Sequence, residues 1–235
     1  MLSGSKNPAL DKDHPTLVPT SSTGAKKLLV GGIDEANKGQ CLNPLVVVCV
    51  YASVKNQLLV PYLGDSKSRK YTSEQLKAIL KKYKLGYKLL QIPVWYVDRY
   101  NINTLLLRAQ AHLIKTIGLH KVFVDSHFQK PALLKKEIQK NIAPGSCQIQ
   151  CAHKMDGIHA LTGLASLIAY QKKNKNLQAL SLQLGEPVGS GNLADPVTKE
   201  YIKKYYPAVP NLRRSWDLKS LFKDYNTGVT RKKKF

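Results

Sequence analysis

The sequence predicts an α/β protein in which a mixed β-sheet is flanked by helices. Short apolar runs rich in β-branched residues, at 28–33, 45–51 and 121–124, are bounded by polar turns, as strands are. Apolar residues between the later runs recur at helical spacing, and a strand–helix–strand order is typical of such sheets. At 235 residues and 43% hydrophobic composition, the chain can bury one full core.

The first two strands enclose a pair of acids. The run 28–33 leads directly to Asp34 and Glu35, and a glycine-containing turn then leads into the run 45–51. Adjacent carboxylates repel each other, and a cation between them relieves the repulsion. The pair therefore indicates either a solvated turn or a site for Mg²⁺ or Mn²⁺, which prefer carboxylate and water ligands.

The charge of the chain favours a nucleic acid partner. There are 37 Lys and Arg residues against 15 Asp and Glu, a net charge of +22. A protein this basic usually works beside a polyanion, although genome composition or ribosomal association also produces lysine-rich surfaces. No apolar run approaches the roughly 20 residues of a membrane span, and no secretory signal is visible. We therefore expect an intracellular protein with no membrane partner, whose four cysteines are reduced and hold no zinc.

Residues 1–26 are rich in Ser, Thr, Pro and Lys and are predicted to form a flexible leader. Farther along, Lys67 lies in a polar turn, where it could bind phosphate or face solvent. Thr72 or Ser73 could cap a helix that ends near Tyr83.

The middle of the chain alternates strands and helices. Residues 87–97 are predicted to be a strand, and 105–117 a helix. Lys121–Asp125 is a short strand that ends in an acid, as the first strand does. Residues 133–141 are predicted to be a basic helix.

A further predicted strand, 148–152, leads to another acid, Asp156. The apolar stretch 160–170 follows and is predicted to be a buried helix, so Asp156 could be a helix cap or a metal ligand. Farther on, Asp195 and Pro196 open a helix that is predicted to end at Tyr205.

Four acids thus follow three predicted strands: Asp34, Glu35, Asp125 and Asp156. The carboxyl ends of such strands form the usual site of an α/β sheet. Four carboxylates at one edge could hold two divalent cations, which would activate water for hydrolysis of a phosphodiester.

These motifs resemble type 2 ribonuclease H, the RNase HII family, in its archaeal and eukaryotic branch. GIDEANKG at 32–39 resembles the family signature GIDEAGRG, and the segment 64–67 is similar to the family's DSK motif. The segment 123–125 is similar to the strand that carries the third acid, and 154–156 to the motif that carries the fourth. Residues 189–201 and 213–216 are similar to the GSGYPSDPxT and RxSW elements. The resemblance covers about residues 28 to 222.

The resemblance implies an RNase H-like fold with a small C-terminal helical part. It also implies hydrolysis of RNA in RNA–DNA hybrids and of ribonucleotides embedded in duplex DNA, leaving 3′-hydroxyl and 5′-phosphate ends. It implies that Mg²⁺ or Mn²⁺, two ions during catalysis, is held by Asp34, Glu35, Asp125 and Asp156. The residues it implies for substrate binding are Asn37, Lys38, Gly39, Ser66, Lys67, His159, Arg213 and Arg214.

The chain departs from the family where the family reads the junction between RNA and DNA. Asn37-Lys38-Gly39 replaces Gly-Arg-Gly, and His159 takes the place of a tyrosine that stacks on a sugar. Asn tolerates positive φ, which would preserve the turn, whereas Lys lacks the bidentate fork of Arg. The alternative to an active nuclease is a nucleic-acid-binding protein on the same fold that has lost catalysis, for instance in a ribonucleoprotein.

The predicted division of the chain is a leader at 1–26, a catalytic domain at 27–180, a C-terminal helical part at 181–225 and a basic tail at 226–235. Residues 218–225 faintly resemble a sliding-clamp-binding peptide, and the alternative is that Leu221 and Phe222 pack on the core. We expect a monomer, with accessory subunits or a sliding clamp as further partners. An archaeal protein would be cytoplasmic and a eukaryotic one nuclear.

Overall fold

A computed structural model describes residues 28–61, 71–218 and 221–222. Five strands form one sheet in the order β3-β2-β1-β4-β5. They are β1 (Leu29–Ala36), β2 (Leu45–Ser53), β3 (Gly86–Ile92), β4 (Lys121–Asp125) and β5 (Gln148–Ala152). β1 pairs antiparallel with β2 and parallel with β4, which confirms the predicted mixed sheet.

Parallel pairing brings the acid-bearing ends of the strands to one edge. β1, β4 and β5 run in the same direction, with Ile33 opposite Val124 and Asp125 opposite Ala152. Asp34 and Glu35 therefore leave the sheet beside Asp125, and the chain after β5 returns Asp156 to the same edge. This topology is what the strand–helix–strand order of the sequence predicts.

Seven helices surround the sheet in the described residues: α1 (Val54–Gln57), α2 (Ser73–Lys82), α3 (Val94–Arg99), α4 (Ile102–Ile117), α5 (Pro131–Lys140), α6 (Ala160–Leu184) and α7 (Pro196–Tyr205). Thr72 caps α2 through a reciprocal pair of hydrogen bonds with Gln75, and Asp195 caps α7, both as predicted.

Two predicted boundaries are wrong. The third strand does not extend to Val97, because β3 ends at Ile92 and Pro93, which cannot donate to a ladder, caps α3 instead. The helix predicted over 160–170 continues to Leu184, where Gly185 ends it in a left-handed conformation. It continues because Leu177 and Leu180 extend its buried stripe into a further core.

Both faces of the sheet are covered. One apolar cluster packs α4 and α5 on one face, and a second packs α2 and α6 on the other. α6 crosses β1 at Gly32 in close contact, since a Cβ there would lie 2.2 Å from the backbone nitrogen of Thr162. This contact fixes the helix beside the strand that carries Asp34.

A third cluster joins the C-terminal part to the segment after β1. Cys41 and Leu42 are completely buried with residues of α6, α7 and the segment up to Leu221. α6 runs through the predicted boundary at residue 180, and the division into domains stays a prediction. Within the described residues, no helix has the length and apolar character needed to cross a bilayer.

Candidate active site

The predicted acids lie together at the carboxyl edge of the sheet. Asp34 and Glu35 are the last charged residues of β1, Asp125 ends β4, and Asp156 lies in a 3₁₀ turn (Met155–Gly157) after β5. Asp34 is only 6% exposed. The sheet therefore removes these carboxylates partly from water in spite of their charge.

Burial and mutual repulsion favour the protonated forms of Asp34, Glu35 and Asp125. Burial raises the pKa of Asp34 well above its usual range, and the charges of Glu35 and Asp125 raise it further. Burial, followed by the charge of Asp125, raises the pKa of Glu35 to about 7. The pKa of Asp125 is also raised, by burial and by the charge of Asp156. Each acid thus interacts with at least one other, as a shared cation site requires.

Local hydrogen bonds hold two of the carboxylates in place. Oδ1 of Asp125 accepts a 2.7 Å hydrogen bond from the backbone nitrogen of Met155, which ties β4 to the turn that carries Asp156. Ser166 on α6 donates to the Asp34 side chain and lowers its pKa, against the effect of burial. Oδ1 of Asp34 also accepts from the backbone nitrogen of Glu35 at 2.7 Å.

A divalent cation fits the chemistry of these donors. Oε2 of Glu35 is buried and has no hydrogen-bond partner among the described residues, which is costly for a carboxylate oxygen unless a cation or water binds it. As arranged in the described part of the chain, no three His, Cys, Asp or Glu side chains converge on one point where they could hold an ion. What favours a cation is thus the all-carboxylate donor set and the mutual repulsion of its members.

The turn after β1 is held by an asparagine. Asn37 has a φ of 74°, in the left-handed region of backbone conformation, which asparagine was predicted to tolerate at this position. Its Nδ2 lies 2.7 Å from the carbonyl oxygen of Leu42 and 2.9 Å from those of Asn43 and Pro44. The side chain is buried inside the turn, so Asn37 shapes this turn from within.

Lys38 and Gly39 are the members of this turn that remain accessible. Nζ of Lys38 donates a 3.1 Å hydrogen bond to the carbonyl oxygen of His127, and its charge lowers the pKa values of Glu35 and Asp125. Gly39 is exposed, and a Cβ there would meet nothing within 4 Å. The turn therefore places one cation beside the acids and leaves open backbone next to it.

Arg213 supports the turn from behind. It is completely buried, and its Nε and Nη2 lie 3.2 and 3.1 Å from the carbonyl oxygen of Asn43. Its Nη1 donates to the carbonyl oxygen of Lys38 at 3.2 Å, and its guanidinium lies 4.9 Å from the ring centre of Trp216. Burial lowers the pKa of Arg213 to about 10. Arg213 therefore has no exposed surface with which to make the predicted direct contact with substrate.

Arg214 is exposed, but its side chain is bound within the protein. Its Nη2 donates to the carbonyl oxygen of Pro207 at 2.7 Å. Asp98 of α3 accepts hydrogen bonds from the backbone nitrogens of Arg214 and Ser215, at 3.0 and 2.8 Å, and from the Ser215 hydroxyl at 2.7 Å. The segment 213–215 thus connects α3 to the turn after β1.

His159 lies next to the site, before the first turn of α6. Its ring stacks on Phe123 with 3.6 Å between ring centres and an interplanar angle of 14°. Burial, together with the charge of Lys121, lowers its pKa to about 4, so the ring is neutral at pH 7. One face of the predicted sugar-stacking residue is therefore covered by a phenylalanine. Ser66 and Lys67 lie outside the described residues.

Three contributors to the site were not predicted from the sequence: Ser166, the carbonyl of His127 and Asp98. Ser166 follows Thr162 by four residues, and this polar pair in an apolar stretch was the available signal for a helix face turned toward the acids. A backbone carbonyl leaves no signal in a sequence, and Asp98 acts on a segment more than a hundred residues away.

Comparison with known proteins assigns the chain to a family. The family model described as Ribonuclease HII matches residues 31–219. The Ribonuclease HII of Methanocella arvoryzae is 31% identical over 198 residues, which cover 79% of this chain and 87% of that protein.

Solved structures agree with this assignment. The ribonuclease H2 of Pyrococcus horikoshii OT3 superimposes with a TM-score of 0.72 at 26% identity, over 84% of this chain and 98% of that one. The RNase HII of Archaeoglobus fulgidus, solved as a complex with PCNA, gives a TM-score of 0.69 at 26% identity, over 81% and 96%. The sheet with its carboxylate edge, the order of the motifs and these matches together show that the chain is an enzyme of the ribonuclease HII family.

Proposed function

We propose that this chain is a metal-dependent endoribonuclease that hydrolyses the RNA strand of RNA–DNA hybrids and cuts duplex DNA at embedded ribonucleotides. The products would carry 3′-hydroxyl and 5′-phosphate ends. The observation that carries the proposal is the gathering of four carboxylates at one sheet edge of a chain whose net charge is +22. Such a charge favours a polyanionic substrate.

In this proposal Asp34, Glu35, Asp125 and Asp156 hold Mg²⁺ or Mn²⁺. When bound, two such ions supply a nucleophilic water and stabilise the leaving oxygen of the phosphodiester. The protein holds the carboxylates for this purpose: the Met155 nitrogen orients Asp125, and Ser166 orients Asp34. Lys38 keeps Glu35 and Asp125 more readily ionised than burial alone would allow.

The turn at 37–39 is the proposed reader of the ribose. The 2′-hydroxyl is the group that distinguishes RNA from DNA, and the open backbone at Gly39 permits close approach of a sugar. Lys38 would contact the neighbouring phosphate as a point charge, without the geometric selectivity of an arginine fork. We infer that Asn37 and Arg213 act indirectly, by fixing this turn.

His159 would contact the sugar with the ring face that Phe123 leaves uncovered. Its imidazole is smaller than a phenol, so we expect less extensive stacking than a tyrosine would give. Ser66, Lys67 and Arg214 stay proposed substrate contacts, with Lys67 as a candidate phosphate ligand.

A sliding clamp is a further proposed partner, because the Archaeoglobus fulgidus relative was solved in complex with PCNA. In this chain Leu218 and Leu221, from the segment compared with a clamp-binding peptide, are buried in the third apolar cluster, and Phe222 packs against Tyr206. A clamp would therefore contact other residues. Co-elution with a clamp from the same source on size-exclusion chromatography would test the partnership.

The test of activity compares four labelled duplexes of one sequence: RNA–DNA hybrid, DNA with one embedded ribonucleotide, all-DNA and all-RNA. Each is incubated with the protein in Mg²⁺, in Mn²⁺ and in EDTA, and the product ends are identified by phosphatase treatment and ligation. Asp34→Asn and Asp125→Asn remove one proposed ligand each. Glu200→Gln, an exposed acid of α7, is the charge-matched control.

We expect cleavage of the first two duplexes, dependent on a divalent cation, abolished in both aspartate variants and unchanged in Glu200→Gln. Cleavage of the hybrid alone would mean that recognition of a single ribonucleotide has been lost with the Gly-Arg-Gly turn. Salt-sensitive binding without cleavage in either metal would contradict the proposal and indicate a binding protein instead.

A further inference from the structure

Three aromatic side chains form an exposed row on and just after α3. Trp95 is 60% exposed, Tyr96 38% and Tyr100 45%. The rings of Trp95 and Tyr96 have centres 4.3 Å apart, and those of Tyr96 and Tyr100 are 5.3 Å apart. We call these three residues the aromatic ladder.

The aromatic ladder is not explained by packing. α3 has six residues, and its only buried side chain is Val97, which enters the cluster under α4. Single exposed aromatic residues are ordinary, but a contiguous group of three marks a binding surface. The rings already contact one another, so little conformational freedom remains to be lost on binding.

The helix that carries the ladder is linked to the candidate active site. Asp98, on the same helix, binds the backbone nitrogens of Arg214 and Ser215. The preceding residue, Arg213, donates to the carbonyl oxygen of Lys38 in the turn proposed to read the ribose. α3 is therefore tied through two sets of hydrogen bonds to the turn beside the acids.

We propose that the aromatic ladder is a stacking platform for unpaired nucleotides that adjoin the hybrid or duplex being cut; this inference rests on the proposed function. Inside a duplex each base face is covered by its neighbours, so an aromatic row finds free base faces only where the nucleic acid is single-stranded. The exposed Arg99 and the net charge of +22 provide the attraction for the accompanying phosphates. The preferred substrates are thus hybrids or ribonucleotide-containing duplexes beside a single-stranded extension.

The test uses the full chain and hybrids that share one paired sequence. One hybrid is blunt, and four others each carry a five-nucleotide single-stranded DNA extension, placed at one of the two ends and on one of the two strands. Binding is measured in EDTA by fluorescence anisotropy, and cleavage of the shared paired region in Mg²⁺ or Mn²⁺. The variant is Trp95→Ala with Tyr96→Ala. The control is Tyr87→Ala, an aromatic residue 46% exposed near the opposite end of β3.

We expect at least one extension to tighten binding of the wild-type chain by about fivefold or more, since one base–aromatic stack contributes at least that factor. The double variant should lose this increase, cleave the blunt hybrid as the wild type does and keep its melting temperature, while Tyr87→Ala retains the increase. Equal binding of blunt and extended hybrids by an active wild-type chain would overturn the inference and leave the proposed function intact. The inference would also be overturned if the double variant still bound extended hybrids more tightly than blunt ones. It would likewise be overturned if sedimentation showed a dimer that forms through the ladder residues and excludes the extended substrate. Failure to cleave the blunt hybrid at all would instead contradict the proposed function.

Discussion

Nη1 of the buried Arg213 donates a 3.2 Å hydrogen bond to the carbonyl oxygen of Lys38, so a cation 175 residues away in sequence holds the turn that follows the paired acids. The same guanidinium binds the carbonyl oxygen of Asn43, at the end of that turn. The glycine-containing turn is thereby held at both ends beside the carboxylates. Through this contact a residue without exposed surface would act on the proposed recognition of substrate.

Replacing Arg213 with Met should destabilise the protein by about 2–4 kcal/mol, because the carbonyl oxygen of Lys38 would lose its Arg213 donor and that of Asn43 would keep only Nδ2 of Asn37. Urea denaturation would measure the loss. Arg214→Met is the control, and its exposed side chain should cost less than about 1 kcal/mol. Equal effects of the two substitutions would contradict the assigned role of Arg213.

Gly32→Ala should be among the most destabilising small substitutions in the sheet. Its Cβ would lie 2.2 Å from the nitrogen of Thr162 and 2.4 Å from the carbonyl carbon of Leu161, and backbone atoms of a packed helix cannot move aside cheaply. We expect a loss of about 3 kcal/mol, the upper range for overpacking, by thermal or chemical denaturation. Gly39→Ala, whose Cβ meets nothing within 4 Å, is the matched control and should leave stability within about 0.5 kcal/mol.

Stability in EDTA should fall as the pH rises, because Glu35 has a pKa of about 7 in the folded chain against an ordinary value of 4.5. The folded state therefore binds this proton more tightly than the unfolded state does. The resulting stabilisation is present below pH 4.5 and is lost as the pH rises through about 7. We expect a decrease of about 1–3 kcal/mol across this interval, measured by urea denaturation at each pH.

Glu35→Gln should flatten this dependence, and Glu200→Gln, which alters an exposed acid, should not. Mg²⁺ or Mn²⁺ should raise the melting temperature most at high pH, because a bound cation stabilises the ionised carboxylates. A wild-type profile that rises between pH 5 and 8 in EDTA would contradict the burial of the Glu35 carboxyl.

Lys38→Met should move the acidic limb of the cleavage pH profile to higher pH. The charge of Lys38 lowers the pKa values of Glu35 and Asp125, so removing it makes both acids harder to ionise. The shift should appear in kcat/KM measured from pH 5 to 9 at saturating Mg²⁺, and Lys38→Arg should largely prevent it. A uniform loss of activity at all pH values would indicate that Lys38 contributes only to phosphate binding.

The positions of the acids could be predicted from the sequence because they depend on local patterns. Short β-branched runs that lead to Asp34 and Asp125 identify strand ends, and Asp156 closely follows the end of the strand 148–152. A sheet places the ends of parallel strands at one edge. The caps at Thr72 and Asp195 were likewise predictable, because a cap bonds to atoms within four residues of itself.

The course of the chain beyond such patterns was less predictable. β3 was predicted too long because the alternating pattern of the sequence continues past Pro93. α6 was predicted too short because apolar residues surround the helix only up to Tyr170 and afterwards occupy a single stripe along it. In both cases packing against residues distant in sequence decides the boundary. Val97 of α3 packs in the core under α4, and Leu177 of α6 packs in the third apolar cluster.

The sequence by itself determined the mixed α/β sheet, the acids at its edge and the polyanionic character of the partner, since these depend on residue type, periodicity and total charge. Only the tertiary structure decided that Arg213 is buried behind the 37–39 turn, that Ser166 reaches Asp34, and that His159 lies on Phe123. Each of these relationships joins residues far apart in the chain. Their free energy comes from desolvation and hydrogen-bond geometry, which exist only once the sheet and its helices have packed.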